Sequence, residues 1–314
     1  MPMKVGIVGL PNAGKSSLFT AMTKVAAEAA NYPFTTIEPN VAVVPVPDER
    51  LDKVAELVGA SEVVNDTLEV HDIAGLVAGA HKGEGLGNKF LANIRETDAI
   101  LHVVRAHEDP NVIHPEGGVD PVRDLNTIET ELLLADLEQA ERRLERVVRQ
   151  ARSGDKEAIA EQAWIEAVIT ALNEGKAART VPVPDDAPNA MRDLSPLTAK
   201  PVLIIANIGE GEEGVPEAIQ AHADEQDAGA IAVCIRLEAE LGGLDDEEAA
   251  EMRADLGAGE SGLSRVLRGA FDLLDLIAFF TAGEGKPAHS WHLGRGKSAW
   301  EAAGQIHSDI QQGF

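Results

Sequence analysis

No stretch of this chain limits what it can fold into as tightly as Gly9-Leu10-Pro11-Asn12-Ala13-Gly14-Lys15-Ser16. The spacing is GxxxxGK[ST]. The apolar run Met3–Val8 precedes it and a helical stretch follows from Ser17, so the order is strand, phosphate-cradling loop, helix. The glycines let the backbone curl until successive N–H groups face one anion, and the helix N-terminus adds its positive dipole end. Lys15 is placed to reach the β- and γ-phosphates of a nucleotide, and the Ser16 hydroxyl to ligate Mg²⁺. Asn12, Ala13, Gly14, Lys15, Ser16 and Ser17 are the candidate nucleotide-binding run. The bland alternative is a glycine-rich turn with no ligand.

A strand–loop–helix start needs further strands to bury it. Short apolar runs with turn residues between them recur at Val41–Val46, Thr67–His71, Ala99–Val104, Pro201–Ala206 and Ala230–Ile235. Most lack alternation, as strands covered on both faces do. Helical stretches lie between them, which predicts an α/β fold with a mostly parallel sheet. The pair Val41–Val46 and Thr67–His71 is where one antiparallel strand is expected. From Thr127 to Lys176 no strand candidate occurs. Leu132, Leu133, Leu137, Leu144 and Val148 line one helical face, Ser153-Gly154-Asp155 reads as a turn, and an antiparallel helical hairpin is predicted. Its other face carries Arg142, Arg143, Arg146, Arg149 and Arg152, either a solvated face paired with Glu138, Glu141 and Glu145 or a phosphate-contacting patch. The predicted division is 1–126 and 199–275 for the nucleotide-binding domain, 127–198 for the arm and connector, and 276–314 for a terminal unit. Gly242–Gly262 reads as acidic surface.

Composition bounds the partners. The chain has 314 residues, 44 % of them hydrophobic, enough for a sizeable core. Lys plus Arg is 27 and Asp plus Glu is 53, a net charge of −26. Such a surface repels polyanions on average, which excludes coating nucleic acid through bulk charge, and no DNA partner is expected. The single cysteine, Cys234, allows no internal disulfide. No apolar run approaches the ~18 residues of a membrane span, and no signal peptide is visible. A cytoplasmic location is the expectation.

Three further segments narrow the chemistry. Asp72-Ile73-Ala74-Gly75 ends a strand, where Asp72 would orient Mg²⁺ from behind its direct ligands and the Gly75 N–H would sense the γ-phosphate. Thr35 and Thr36 lie between the first helix and second strand, and one of them can add a hydroxyl to the metal. Asn207-Ile208-Gly209-Glu210 follows a buried strand, where a base-reading loop belongs.

With these residues, the sequence resembles the Obg group of translation-factor-like P-loop GTPases, and within it the Obg-like ATPases of the YchF subfamily. Gly9–Ser16, Asn31–Phe34 with Thr36–Asn40, Asp72–Gly75, Lys82–Lys89, Asn207–Glu210, the helical insertion and Phe279–Gly283 carry the likeness over nearly the whole chain. The resemblance implies a Ras-like G domain, ATP preferred over GTP, a Thr36 metal ligand, and association with the ribosome or its large subunit. The residues themselves bear on the base. Guanine readers place NKxD here, the aspartate accepting from the ring N–H and the 2-amino group. Adenine has neither donor. Ile208 stands at the lysine position and Glu210 at the aspartate position, which damages guanine recognition. Asn207 would read the purine or brace the phosphate loop, and Ile208 would pack near the base.

Leu76 occupies the place where a Ras-like enzyme carries its water-orienting glutamine, so turnover is slow or another group holds the water. His114, in the polar loop Glu108–Pro121, is the candidate, matching the mobile-loop histidine suggested for the family; the alternative is an ordinary surface histidine. His71 and His107 are less well placed, and His81 is a reserve. Asn12 either bonds within its loop or helps bind K⁺ near the β/γ bridge, as in some relatives. Thr35 stands where bacterial relatives often have cysteine. Leu276–Phe314 resembles the start of a TGS domain, a β-grasp unit. A hairpin and one helix leave its sheet incomplete with an exposed edge, so a fragment or a covering partner is expected, with Trp291, Trp300, Ile306 and Ile310 as its core. Three functions stay in play: a slow Mg²⁺-dependent ATPase regulating translation or a stress response at the ribosome, a GTPase of the same group, and a nucleotide-gated adaptor with negligible turnover.

Overall fold

A computed structural model of the chain describes residues 3–28, 37–38, 40–73, 86–242, 244, 246–255 and 260–314. Strand β1 (Met3–Val8) and helix α1 (Lys15–Glu28) flank the phosphate loop. They are followed by β2 (Ile37–Glu38), β3 (Val41–Pro45), α2 (Glu49–Val58), β4 (Val63–Val64), β5 (Thr67–Asp72), α3 (Leu86–Arg95) and β6 (Ala99–Arg105). The arm is α4 (Pro121–Ala151) and α5 (Lys156–Asn173). After the short α6 (Ala190–Leu194) come β7 (Val202–Asn207), α7 (Glu217–Glu225), β8 (Gly229–Val233), α8 (Ile235–Leu241), α9 (Asp246–Asp255) and α10 (Gly262–Leu273). The terminal unit is β9 (Leu276–Thr281), β10 (Ala288–Gly294), α11 (Ala299–Ile306) and α12 (Ser308–Gln312).

The seven-stranded sheet has the order β2-β3-β5-β1-β6-β7-β8. Strands β5, β1, β6, β7 and β8 pair in parallel; β3 runs antiparallel to β5, as the sequence suggested for that pair. Burial on both faces explains the unbroken apolar runs: every residue of β6 is buried. Leu101 and Val103 face the core under α1 and α10, while Ile100 and Val104 face the side of α3, α4 and α7.

The arm leaves the sheet domain between β6 and β7. Asp120 caps α4 by accepting from Arg123 N–H, and Pro121 occupies its first turn, where a missing N–H costs nothing. Gly154, at φ 86°, reverses the chain before the α5 cap Asp155. Trp164, Ile165, Val168 and Leu172 of α5 form the arm's core with Ala140 and Val147. Arg143 crosses it to Glu161 at 2.7 Å and Asp193 at 3.6 Å, so it is a staple, whereas Arg142 pairs along its own helix with Glu138. Buried Asp136 ties the arm to the sheet, accepting from Leu197 N (2.7 Å), Thr198 N (2.8 Å) and Thr198 Oγ1 (2.7 Å). Burial still holds its carboxyl above the usual range, against the lowering by those bonds.

Two expectations are corrected. The edge expected to lie bare in the terminal hairpin is covered in part from within the chain, since Val63–Val64 of β4 pairs in parallel with Ala288–His289 of β10. Trp300 (53 % exposed) and Ile310 (48 %) are surface residues; the unit is packed instead through Ala288, Leu293 and Ala303, with Trp291 Nε1 donating to Thr281 Oγ1. Within the acidic stretch Gly242–Gly262 the chain forms the helix α9, with Arg253 donating to Glu238.

Candidate nucleotide-binding site

The phosphate loop is held by contacts that leave no room for side chains. A Cβ on Gly9 would meet Val103 O at 2.3 Å, and one on Gly14 (φ 107°) would meet Asn207 Nδ2 at 2.6 Å. These two positions need glycine because β6 and β7 press against the loop from below. Asn12 takes the left-handed conformation (φ 63°), which asparagine tolerates better than most residues. Ala13 is buried beneath the loop, while Asn12, Ser16 and Ser17 are exposed.

Lys15 is 6 % exposed and donates from Nζ to Leu10 O at 2.7 Å. Burial pushes its ammonium down to about 8, with the charge of Asp72 pulling the other way. The cation is thus desolvated and bonded to a carbonyl, a state that phosphate oxygens would improve. The Ser16 hydroxyl donates to Asp72 Oδ2 at 2.9 Å, across the C-terminal ends of β1 and β5. Among the described residues Asp72 Oδ1 is buried with no hydrogen-bond partner, an orphan acceptor suited to a donor or a cation. Among the described residues no three His, Cys, Asp or Glu side chains cluster as a metal cage, so a cation here needs oxygens from elsewhere. Gly75, Thr35, Thr36, Leu76 and His81 lie outside the described residues.

The base-reading candidates separate. Asn207 at the end of β7 braces the loop: Nδ2 donates to Ala13 O at 3.1 Å, and Oδ1 accepts from Ile235 N at 3.3 Å. Ile208 is buried in the core with Val104, Ile204 and Ile219. Glu210 is half exposed, and Arg236 in the first turn of α8 pairs with it at 2.5 Å. Sequence reasoning missed Arg236, because only the fold brings α8 beside the β7 loop. Cys234, half-buried at the start of α8, has its thiol pushed up by burial.

His114 and its loop lie against the phosphate loop. Asn12 Nδ2 donates to Ile113 O at 3.0 Å, and Arg105 donates to Val112 O at 3.1 Å. His107 Nδ1 meets Asn207 O at 2.9 Å. The imidazole of His114 is turned inward, 7 % exposed. Nδ1 accepts from Glu116 N at 3.1 Å, which puts the ring proton on Nε2, 2.7 Å from Asp124 Oδ2. Both ring nitrogens are engaged, so this arrangement has no lone pair for water. Asp124 is the second residue that sequence reasoning missed, since nothing in the spacing links a loop histidine to the fourth residue of a helix.

A mostly parallel sheet with a phosphate loop at its β1–α1 junction, a carboxylate at the end of β5 and a bracing asparagine at the end of β7 defines a P-loop NTPase domain of the G-domain type. Residues 4–147 match the family model of the 50S ribosome-binding GTPase, and residues 276–314 match the YchF GTPase C-terminal model, described as a protein of unknown function. The ribosome-binding ATPase YchF of Haemophilus ducreyi is 49 % identical over 317 residues, covering 100 % of this chain and 87 % of that protein. Its namesake in Bacillus subtilis is 45 % identical over 320 residues, with the same coverage. The solved structure of the Schizosaccharomyces pombe YchF GTPase matches with a TM-score of 0.86 at 38 % identity, over 99 % of this chain and 86 % of that one. The chain belongs to the YchF family.

Proposed function

We propose that this protein binds ATP in preference to GTP, hydrolyses it slowly with Mg²⁺, and works in the cytoplasm as a ribosome-associated regulator. The observation that carries the reading is a formed phosphate loop joined to a base loop that lacks the guanine-reading lysine and aspartate, with Glu210 engaged by Arg236. The bacterial relatives' names, ribosome-binding ATPase, support both the nucleotide and the partner. In this reading Asn12 to Ser17 hold the phosphates, and Gly75 senses the γ-phosphate. Ser16 and Thr36 hold Mg²⁺, with Asp72 behind them. The orphaned Asp72 Oδ1 and its Ser16 neighbour fit such an ion. When bound, Mg²⁺ neutralises charge that develops on the phosphates. Asn12 spends its Nδ2 on Ile113 O and keeps its amide oxygen for a K⁺.

His114 is the residue we assign to the attacking water, and it serves only after leaving Asp124. Slow turnover follows, because the two hydrogen bonds that hold the ring must open first. A second reading as a GTPase draws on the retained carboxylate of Glu210 and on the name of the fission-yeast relative. Calorimetric titration with non-hydrolysable ATP and GTP analogues in Mg²⁺ separates the two. ATP binding tighter by about tenfold, roughly 1.4 kcal/mol, is the expected result; GTP binding as tightly or tighter would sink the ATP reading. His114→Ala is expected to lower turnover without changing ATP affinity. Unchanged turnover would remove His114 from the reaction.

A further inference from the structure

A second cavity, of about 240 Å³, lies away from the phosphates, where the root of α4 and the turn at Ala178–Thr180 cover β6 and β7. Its lining is mixed: Ile100, Ile128, Leu132, Leu197 and Ile204 are apolar, while Glu129 and Thr198 are among its polar residues. An apolar cavity of ~150 Å³ already accepts benzene, so this one holds a ring with a substituent.

Two polar groups open into those walls without adequate partners. His102 is 3 % exposed and lines the cavity, and among the described residues its imidazole has no hydrogen-bond partner. Burial pushes it down to about 3, so the ring is neutral and offers one N–H and one lone pair. A ring nitrogen with no partner among the described residues is open to a hydrogen bond from whatever fills the cavity. The second is Arg179. Its guanidinium donates to Thr198 O and Gln226 O, both at 2.9 Å, which uses two of its five N–H groups. Among the described residues no carboxylate forms an ion pair with it. Glu129 and Asp227 act on it only at longer range, and Glu129 Oε1 is itself held by His222 Nε2 at 2.8 Å. A half-buried cation bonded to carbonyls, at the side of a hollow with several aliphatic walls, suits an amphipathic anion.

We propose that this cavity is a binding site for a small aromatic or branched aliphatic carboxylate, its apolar body against Ile128, Leu132 and Ile204, its carboxylate on Arg179, and a hydrogen bond to His102. His102 also borders the underside of the phosphate loop at Leu10–Ala13, so the occupant would sit one side chain away from the nucleotide site.

The test uses benzoate and its uncharged analogue benzamide, titrated by ligand-observed NMR into the full chain with saturating Mg²⁺-ADP, which keeps the probe from the phosphate loop. Benzoate is expected to bind with a Kd on the order of 1 mM or tighter, and benzamide about tenfold more weakly. Thr130→Trp, at the exposed rim on α4, should plug the mouth and abolish binding. His102→Leu should weaken it several-fold while the thermal midpoint stays level or rises, because the variant removes an unpaired polar group. The proposal is overturned by absence of benzoate binding, by equal binding of benzamide, or by binding that survives Thr130→Trp in a folded protein.

Discussion

Lys15 sits in a conflict that a nucleotide resolves. Buried and bonded to Leu10 O, its ammonium titrates near 8, well below an exposed lysine. Triphosphate oxygens favour the charged form and raise that pKa, so binding above pH 8 takes up a proton. Affinity is therefore expected to fall as the pH rises past about 8, the free protein having lost the proton that the complex needs. Calorimetry in buffers of different ionisation enthalpy reads the proton directly, and a pH-independent affinity across that window would contradict the burial argument. At the same scale, Asp124 holds the histidine beside the phosphates away from water until the ring is released. Its carboxylate and the Glu116 amide take both nitrogens of His114.

Among the elements, the arm is fastened at its root rather than hinged on a bare linker. Asp136 receives two backbone amides and one hydroxyl from Leu197–Thr198, immediately before β7. Asp136→Ala leaves those donors buried and unpaired, at a cost of about 3 kcal/mol. Chemical denaturation should show that loss, and hydrogen exchange should show it concentrated at 197–199 and the adjoining turn of α4. Wild-type stability would mean that water replaces the carboxylate. The arginine face divides in the same physical terms: Arg143 is a partly buried staple, while Arg146, Arg149 and Arg152 stay on the exposed side of the arm.

Across the whole molecule, the terminal hairpin and the nucleotide domain share a sheet and a polar junction. Asp66 donates its N–H to Ser290 Oγ at 2.6 Å, and its carboxylate meets His292 Nδ1 at 2.6 Å. His292 also packs edge-on against Phe271 of α10, with ring centroids 6.2 Å apart. Ser61 N–H donates to Lys286 O, and Ala288 N–H to Glu62 O, extending the β4–β10 pairing. His292→Ala removes the hydrogen-bond partner of Asp66 and the ring contact together. Limited proteolysis of 276–314 should accelerate several-fold while nucleotide affinity holds, since the junction is far from the phosphate loop in the fold. Equal change in both would mean that the terminal unit supports the nucleotide domain as a whole.

Local pattern carried a large part of this protein. The phosphate loop, the buried parallel strands and the paired helices of the arm follow from spacing and periodicity, because phosphate cradling, two-sided burial and helix amphipathicity each impose a repeat on contiguous residues. The base-loop expectation rests on the same kind of signal, four adjacent residues at a strand end. Long-range pairings had no such repeat to announce them. Arg236 on Glu210, Asp124 on His114, β4 on β10 and the hollow around His102 and Arg179 join residues whose separation in the chain bears no relation to their distance in space. Trp300 and Ile310 mark the same boundary from the other side: their chemistry suits a core, but the chain turns them to the surface. Sequence by itself determined the class of fold and the phosphate site. Tertiary packing decided which side chains are free to act there.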